Sequence, residues 1–283
     1  VTVGMKLRLS ASHWTASYGV SQKLMLDELV RCGFAGLEAS LADLGPDAAA
    51  RRRTVQELKD RGLRLIVGVY SNWVDYEGPS RRQAPAAHLA LLERQLDEAA
   101  ALGPAHVNVH GGDDAWDDAS CAEYYEGAAV LLDGMSASHE THRGRPLFHP
   151  FATARHLAHP DLRLTLDLSH WHLVCERTLQ EDRDVLLKVV PRVDHIHVRL
   201  GSEQAPQLPR LKPPSDAVLD DHTWMWRHIW LNKHRLGADE VFATPELGPP
   251  PYQTDGDASA LWDQTLETAG LIRDVFAQTI PPS

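Results

Sequence analysis

Short apolar or alternating runs recur along this chain, separated by longer segments with apolar residues at helical spacing. The runs KLRLSASHW (from Lys6), GLEAS, RLIVGVYS, HVNVHGG, MSASHE, LRLTLDLSH, VDHIHVRL and EVFATPEL predict eight β-strands. Between and after them, helices are expected near Ser21 to Cys32, Asp47 to Arg61, Pro85 to Leu102, Asp118 to Asp133, Phe151 to Ala158, Leu179 to Val189, Asp216 to Arg235 and Asp257 to Gln278. A strand-helix alternation repeated eight times in a chain of 283 residues predicts the α/β class and a closed (β/α)₈ TIM barrel. A doubly wound open sheet would want a glycine-rich phosphate turn after its first strand, where this chain has SHWTASYG. Neither a Gly/Ser-rich linker nor a charge run divides residues 1–283, so one domain is expected.

Strand parity brings chemistry into the picture. Successive side chains of a strand point to opposite faces. Ser138 and Glu140 therefore share a face, as do Thr165 and Asp167, His195, His197 and Arg199, and Thr244 and Glu246. Each of Glu140, Asp167, His197 and Glu246 sits at the C-terminal end of a predicted strand, which is the end that carries active sites in this architecture. Buried carboxylates need a cation or a shared proton. The four residues thus form a candidate site for one divalent metal ion, with Mn²⁺, Mg²⁺, Co²⁺ and Zn²⁺ all compatible with the mixed O/N donor set.

Further candidates surround that set. His170, three residues after Asp167 and at the start of the loop that follows, is placed to orient a substrate hydroxyl or assist a proton transfer. Glu38 and His110 end the second and fourth strands and are expected to line the opposite wall. Trp14, Tyr70 and Trp73 follow the first and third strands, where flat rings stack on a sugar. His142 and Arg143 lie just beyond Glu140 as candidate substrate contacts. Arg199 is a candidate for neutralising an anionic group, and His195 for holding a carboxylate by its ring N–H or contacting substrate. Pro206, Pro209, Pro213 and Pro214 stiffen the loop after the seventh strand into a cover for the site.

Composition narrows the function classes. The net charge of -11 favours neither a nucleic-acid nor an anionic-membrane partner. The one compact basic cluster, Arg51, Arg52 and Arg53, reads as a solvated helix start. No stretch approaches the ~20 apolar residues of a membrane span, and VTVGMKLRL lacks a charged region followed by a long apolar one, so export is not expected. Cys32, Cys121 and Cys175 are widely spaced and odd in number, as expected of reduced residues in a cytoplasmic protein. Trp224, Trp226 and Trp230 recur at helical spacing as core or interface, which leaves a homodimer open.

Glu140, the D-x-x-H of Asp167 and His170, the second histidine of HIH and Glu246 together resemble the xylose isomerase-like TIM-barrel superfamily over nearly the whole chain. That superfamily includes D-tagatose 3-epimerase, hydroxypyruvate isomerase, inosose dehydratase, 3-dehydroshikimate dehydratase and endonuclease IV. The resemblance implies a metal-dependent isomerase or epimerase of a small, carbohydrate-like substrate, with Glu140 and Glu246 serving both as metal ligands and as the acid/base pair. A dehydratase on the same scaffold and a barrel that binds a metabolite without turnover are the alternatives. Two departures stand out: where the epimerases have an arginine six residues after the metal histidine this chain has Glu203, and Tyr70 stands where endonuclease IV would have a histidine.

Overall fold

The computed structural model describes residues 4–71, 83–209, 215–253 and 256–280. Strands β1 (Lys6–Ser12), β2 (Gly36–Ser40), β3 (Arg64–Tyr70), β4 (His106–His110), β5 (Ala137–Glu140), β6 (Leu164–Asp167), β7 (Val193–Val198) and β8 (Glu240–Pro245) pair in parallel and close into a barrel in chain order. This is the TIM barrel that the alternation of periods predicts. Around it lie α1 (His13–Ala16), α2 (Gln22–Arg31), α3 (Leu41–Leu44), α4 (Ala48–Asp60), α5 (Pro85–Ala100), α6 (Asp118–Leu131), α7 (Pro150–His156), α8 (Leu168–Cys175), α9 (Arg183–Val189), α10 (Asp216–Arg235) and α11 (Ala258–Thr279).

The helices start where their sequences supply caps. The side chain of Asp47 accepts from the Ala50 N–H, Asp117 from Ser120, Ser215 from Val218 and Asp257 from Ser259 and Ala260, while Pro85 opens α5. Each such cap is worth about 1 kcal/mol. Helices α1, α3 and α8 stand where strand ends and loops are expected from the sequence, so His170 lies in the buried first turn of a helix and not at the start of a loop. A helix of four residues shows no period, and α8 buries Leu168 to His172 on all sides, so neither carries an amphipathic signal.

The apolar core fills the shell between barrel and helices. Leu37, Val67, Val109, Leu166, Ile196 and Ala243 from the strands meet Leu26, Leu58, Leu96, Trp226, Trp230 and Ile272 from the helices, all buried. Trp226 and Trp230 thus belong to the chain's own core, and Trp224 lies under Arg183, whose guanidinium sits 4.8 Å from its ring. Of the run, only the half-buried Trp224 reaches the surface. Arg51, expected in solvent, braces α4 instead: its Nε donates to the carbonyls of Leu41 and Gly45, and it pairs with Glu98. The three cysteines are free thiols, and among the described residues no helix is long and apolar enough to cross a membrane.

The other strand faces point to the barrel axis, and apart from Ile66 and Phe242 they are mostly polar. At the N-terminal mouth Glu240 pairs with both Arg8 and Arg64, and Arg64 also covers the Phe242 ring at 4.7 Å. One level up, His106 bridges Ser136 and Ser138 at 2.9 and 2.6 Å, and Ser138 meets Thr165 at 2.6 Å. Parity then delivers Glu38, Asn108, Glu140, Asp167, His197 and Thr244 to the next level toward the C-terminal mouth.

Candidate active site

Register sets which side chains meet there. Ser12 pairs with Glu38, Asp167 with His197, and His197 with Thr244 across adjacent strands. Donor atoms of Glu140, Asp167, His197 and Glu246 all fall within 4.8 Å of one another. Donors bound at about 2.1 Å to one six-coordinate ion stand roughly 3 to 4.2 Å apart, so the cluster needs little movement to enclose a cation.

His197 is the centre of the arrangement. Its Nε2–H donates to Glu38 Oε1 at 2.8 Å, which leaves Nδ1 facing Glu140 Oε2 and Glu246 Oε2, each 3.4 Å away. Burial alone would push the imidazole down. The charges of Glu38, Glu140 and Glu246 outweigh it and hold the group well above its ordinary value. Positive charge is therefore what this position demands. Among the described residues His197 Nδ1 and Glu140 Oε1 are buried without a hydrogen bond, and these are the atoms that would ligate an ion.

Glu38 is the residue whose role the sequence left least defined. Its carboxylate accepts from Asn108 Nδ2 (3.1 Å), from the Thr244 hydroxyl (2.7 Å) and from His195 Nε2 (3.1 Å) besides His197. Burial raises its pKa, but the neighbouring His197 and His195 more than reverse this and keep it ionised. Glu38 thus fixes the tautomer and ring angle of His197, as a carboxylate behind a ligand histidine does. Asn108, which sequence reading missed, also donates to Glu140 Oε2 at 2.9 Å; its one signal was sharing a strand face with His110. His110 Nε2 reaches the same Glu140 oxygen at 2.8 Å.

Arg199 enters from the rim. It donates to Asp167 Oδ2 at 2.5 Å and lies 3.6 Å from Glu246 Oε2. Asp167 Oδ1 accepts from the N–H and hydroxyl of Ser169, so both its oxygens are held. His170 is fully buried behind Arg199, with Nε2 3.0 Å from Arg199 and Nδ1 2.8 Å from Arg143. Its place is that of an orienting group between two guanidiniums, not of a proton donor facing substrate. His195 likewise lies beneath Glu38, sealed from the cavity, and holds that carboxylate instead of touching a ligand.

Above these residues opens a cavity of about 330 Å³, lined among others by Trp14, Glu38, Tyr70, His110, Glu140, His142, Arg199, Glu246 and Tyr252. That volume lies at the lower end of the ~300–1,000 Å³ typical of ligand sites, so it suits a small molecule. Trp14 seats against Gly248, where a Cβ would meet the indole at 2.5 Å, and Tyr70 lies over Gly68 and stacks on His110 at 4.5 Å. Tyr252, from the loop after β8, meets Trp14 edge-on at 5.3 Å; no periodic signal marked it. His142 is pinned by Nδ1 to the Arg143 carbonyl at 2.5 Å. Arg143 lines an outer groove together with Pro206 and Pro209. Trp73, Pro213 and Pro214 lie outside the described residues.

The family model for the xylose isomerase-like TIM barrel matches residues 26–244. The chain belongs to that family. Among solved structures, a D-psicose 3-epimerase in the presence of D-fructose shares 16% identity over 95% of this chain and 99% of its own, with a TM-score of 0.64. An IolI protein with a zinc atom shares 13% over 97% and 99%, at 0.64. The probable 3-DHS dehydratase AsbF of Bacillus anthracis shares 14% over 91% and 97%, at 0.58. At these identities the likeness is one of fold. No curated protein matches the chain.

Proposed function

We propose that this xylose isomerase-like protein is a divalent-metal-dependent isomerase or epimerase of a small polyhydroxy carbonyl compound. The observation that carries the reading is the pair Glu140 and Glu246, both lining the cavity and both with Oε2 3.4 Å from His197 Nδ1. Glu140, Asp167, His197 and Glu246 would hold the ion, Mn²⁺, Mg²⁺, Co²⁺ or Zn²⁺, which when bound supplies Lewis-acid stabilisation of negative charge on substrate oxygens.

The chain's own groups do the remaining work. Among the described residues the Glu246 side chain makes no hydrogen bond, so it is the base free to take the proton from the carbon beside the carbonyl. The C–H electron pair passes to the carbonyl oxygen, forming an enediolate. A proton passed from His110 through Glu140, 2.8 Å away, to the carbon then gives the epimer or isomer, and Glu246 releases the proton it took to solvent, from which His110 is reprotonated. Arg199 orients the substrate oxygens, while Trp14, Tyr70 and Tyr252 cover the apolar face of the sugar and exclude water.

A dehydration is the second reading, supported by His110. Facing the cavity beside Glu140, it would protonate a departing hydroxyl where the isomerase re-protonates carbon. A screen of ketoses, aldoses and keto acids with product detection by mass separates the two: an isomer keeps the substrate mass and a dehydration product is one water lighter. Full activity of Glu140→Gln or Glu246→Gln on the substrate so found would remove the acid/base assignment from either reading.

A further inference from the structure

On the other side of Trp14 and Tyr252, which line both, lies a separate groove of about 870 Å³ between the loops after β5, β7 and β8. Its walls include Trp14, Arg143, Pro206, Pro209, Pro250 and Tyr252, and no acidic side chain of the described residues lines it. Arg143 is half-buried at the inner end. It donates to Tyr252 Oη at 2.6 Å, its NH1 stands 2.8 Å from His170 Nδ1, and its guanidinium lies 5.5 Å from the Tyr252 ring. Among the described residues no carboxylate pairs with it. Arg199, on the other side of the same imidazole, is by contrast neutralised by Asp167.

A partly desolvated cation with neutral neighbours alone retains an unmet charge and three of its five N–H donors. The geometry points to Arg143 and this groove as a second subsite, which takes an anionic terminal group, carboxylate or phosphate, of the substrate whose reacting carbons lie at Glu140 and Glu246. This deepens the function proposed above and rests on it: the substrate is an acid or phosphate ester of a short polyol chain, not a neutral sugar. The two guanidiniums stand one imidazole apart, a separation such a chain spans. The groove is also preformed, because Gln207 donates to the Gly248 carbonyl at 3.1 Å and accepts from its N–H at 2.6 Å, tying the β7 and β8 loops together. Rigid walls lower the ordering cost of binding.

The test is calorimetric titration of D-gluconate, D-glucitol and D-glucitol 6-phosphate, unreactive polyols of one chain length. Wild type, Arg143→Gln and Arg143→Lys are compared, each with and without Mn²⁺. A charge-assisted pair predicts that wild type binds one of the anions about ten- to a hundredfold more tightly than glucitol. The preference should fall to about threefold or less in Arg143→Gln and be partly kept in Arg143→Lys. Which anion wins tells carboxylate from phosphate. Equal affinities in wild type, a preference that survives Arg143→Gln, or no binding of any polyol would overturn the subsite, and the wild-type comparison decides even where a variant fails to fold. The metal-free arm keeps the two proposals apart: an Arg143-dependent preference in a protein that takes up no metal would sustain the subsite while the metal-dependent function fell.

Discussion

The two mouths of the barrel are built from the same residue types and reach opposite electrostatic outcomes. At the N-terminal mouth one acid, Glu240, is shared by two arginines, Arg8 and Arg64, all three partly exposed to solvent. At the C-terminal end Glu38, Glu140, Asp167 and Glu246 face Arg199 and His197, and Asn108 Oδ1, Glu140 Oε1, His195 Nδ1 and His197 Nδ1 are buried without hydrogen bonds among the described residues. Desolvating an ion costs several kcal/mol, so gathering Glu38, Glu140 and Asp167 in the interior, with Arg199 and a protonated His197 opposite them, is maintained against folding stability. The exposed pairs at one end and the buried, incompletely hydrogen-bonded acids at the other are what the proposed metal and substrate site at the second end accounts for.

Substitutions at the two ends should therefore separate function from stability. The largest effect is expected at the upper end: Glu140→Gln or Glu246→Gln lowers kcat by about a thousandfold or more with circular dichroism unchanged. Glu38→Gln comes next. It leaves the metal ligands in place but loosens His197, so ion affinity falls about ten- to a hundredfold by titration. At the lower end Glu240→Gln should leave metal affinity and kcat near wild type and cost about 1 kcal/mol or less in denaturant melts, because the ion pairs there are partly exposed.

Acid should act separately through two buried neutral histidines, His106 inside the barrel and His139 packed against Tyr124 and Tyr125 in the helix shell. Burial pushes His106 down to about 3 and His139 to about 4. In the folded state both stay unprotonated from neutral pH down to those values, whereas the unfolded chain takes up a proton on each below about 6.5. The unfolded state thus binds more protons, and stability falls with decreasing pH. Each histidine contributes a slope of about 1.4 kcal/mol per pH unit once pH is below the unfolded value. Urea melts at pH 7, 6 and 5 measure it, and a flat stability profile across that range would contradict the buried neutral assignment.

Much of this was legible in the chain. The eight strands follow from short apolar runs with turn residues between them, and parity alone put Glu140, Asp167, His197 and Glu246 on facing sides of their strands. What stayed hidden has physical reasons. Pairing across the barrel depends on register, which no single strand encodes, so Glu38 read as a wall residue and not as the group holding His195 and His197. Tyr252 arrives on a non-periodic loop. Helix α8 buries every face of its first turns, so the segment carrying His170 looked like the end of a strand followed by loop, and the depth of that side chain could not be seen.

The central claim is that the upper cluster is a divalent metal centre. Elemental analysis of purified wild type beside His197→Ala, before and after reconstitution with Mn²⁺ and Zn²⁺, tests it most directly. One equivalent of a divalent ion in wild type, lost in the variant, is the predicted result. No ion in either protein after reconstitution would contradict the account and leave the converging carboxylates to be explained by shared protons alone.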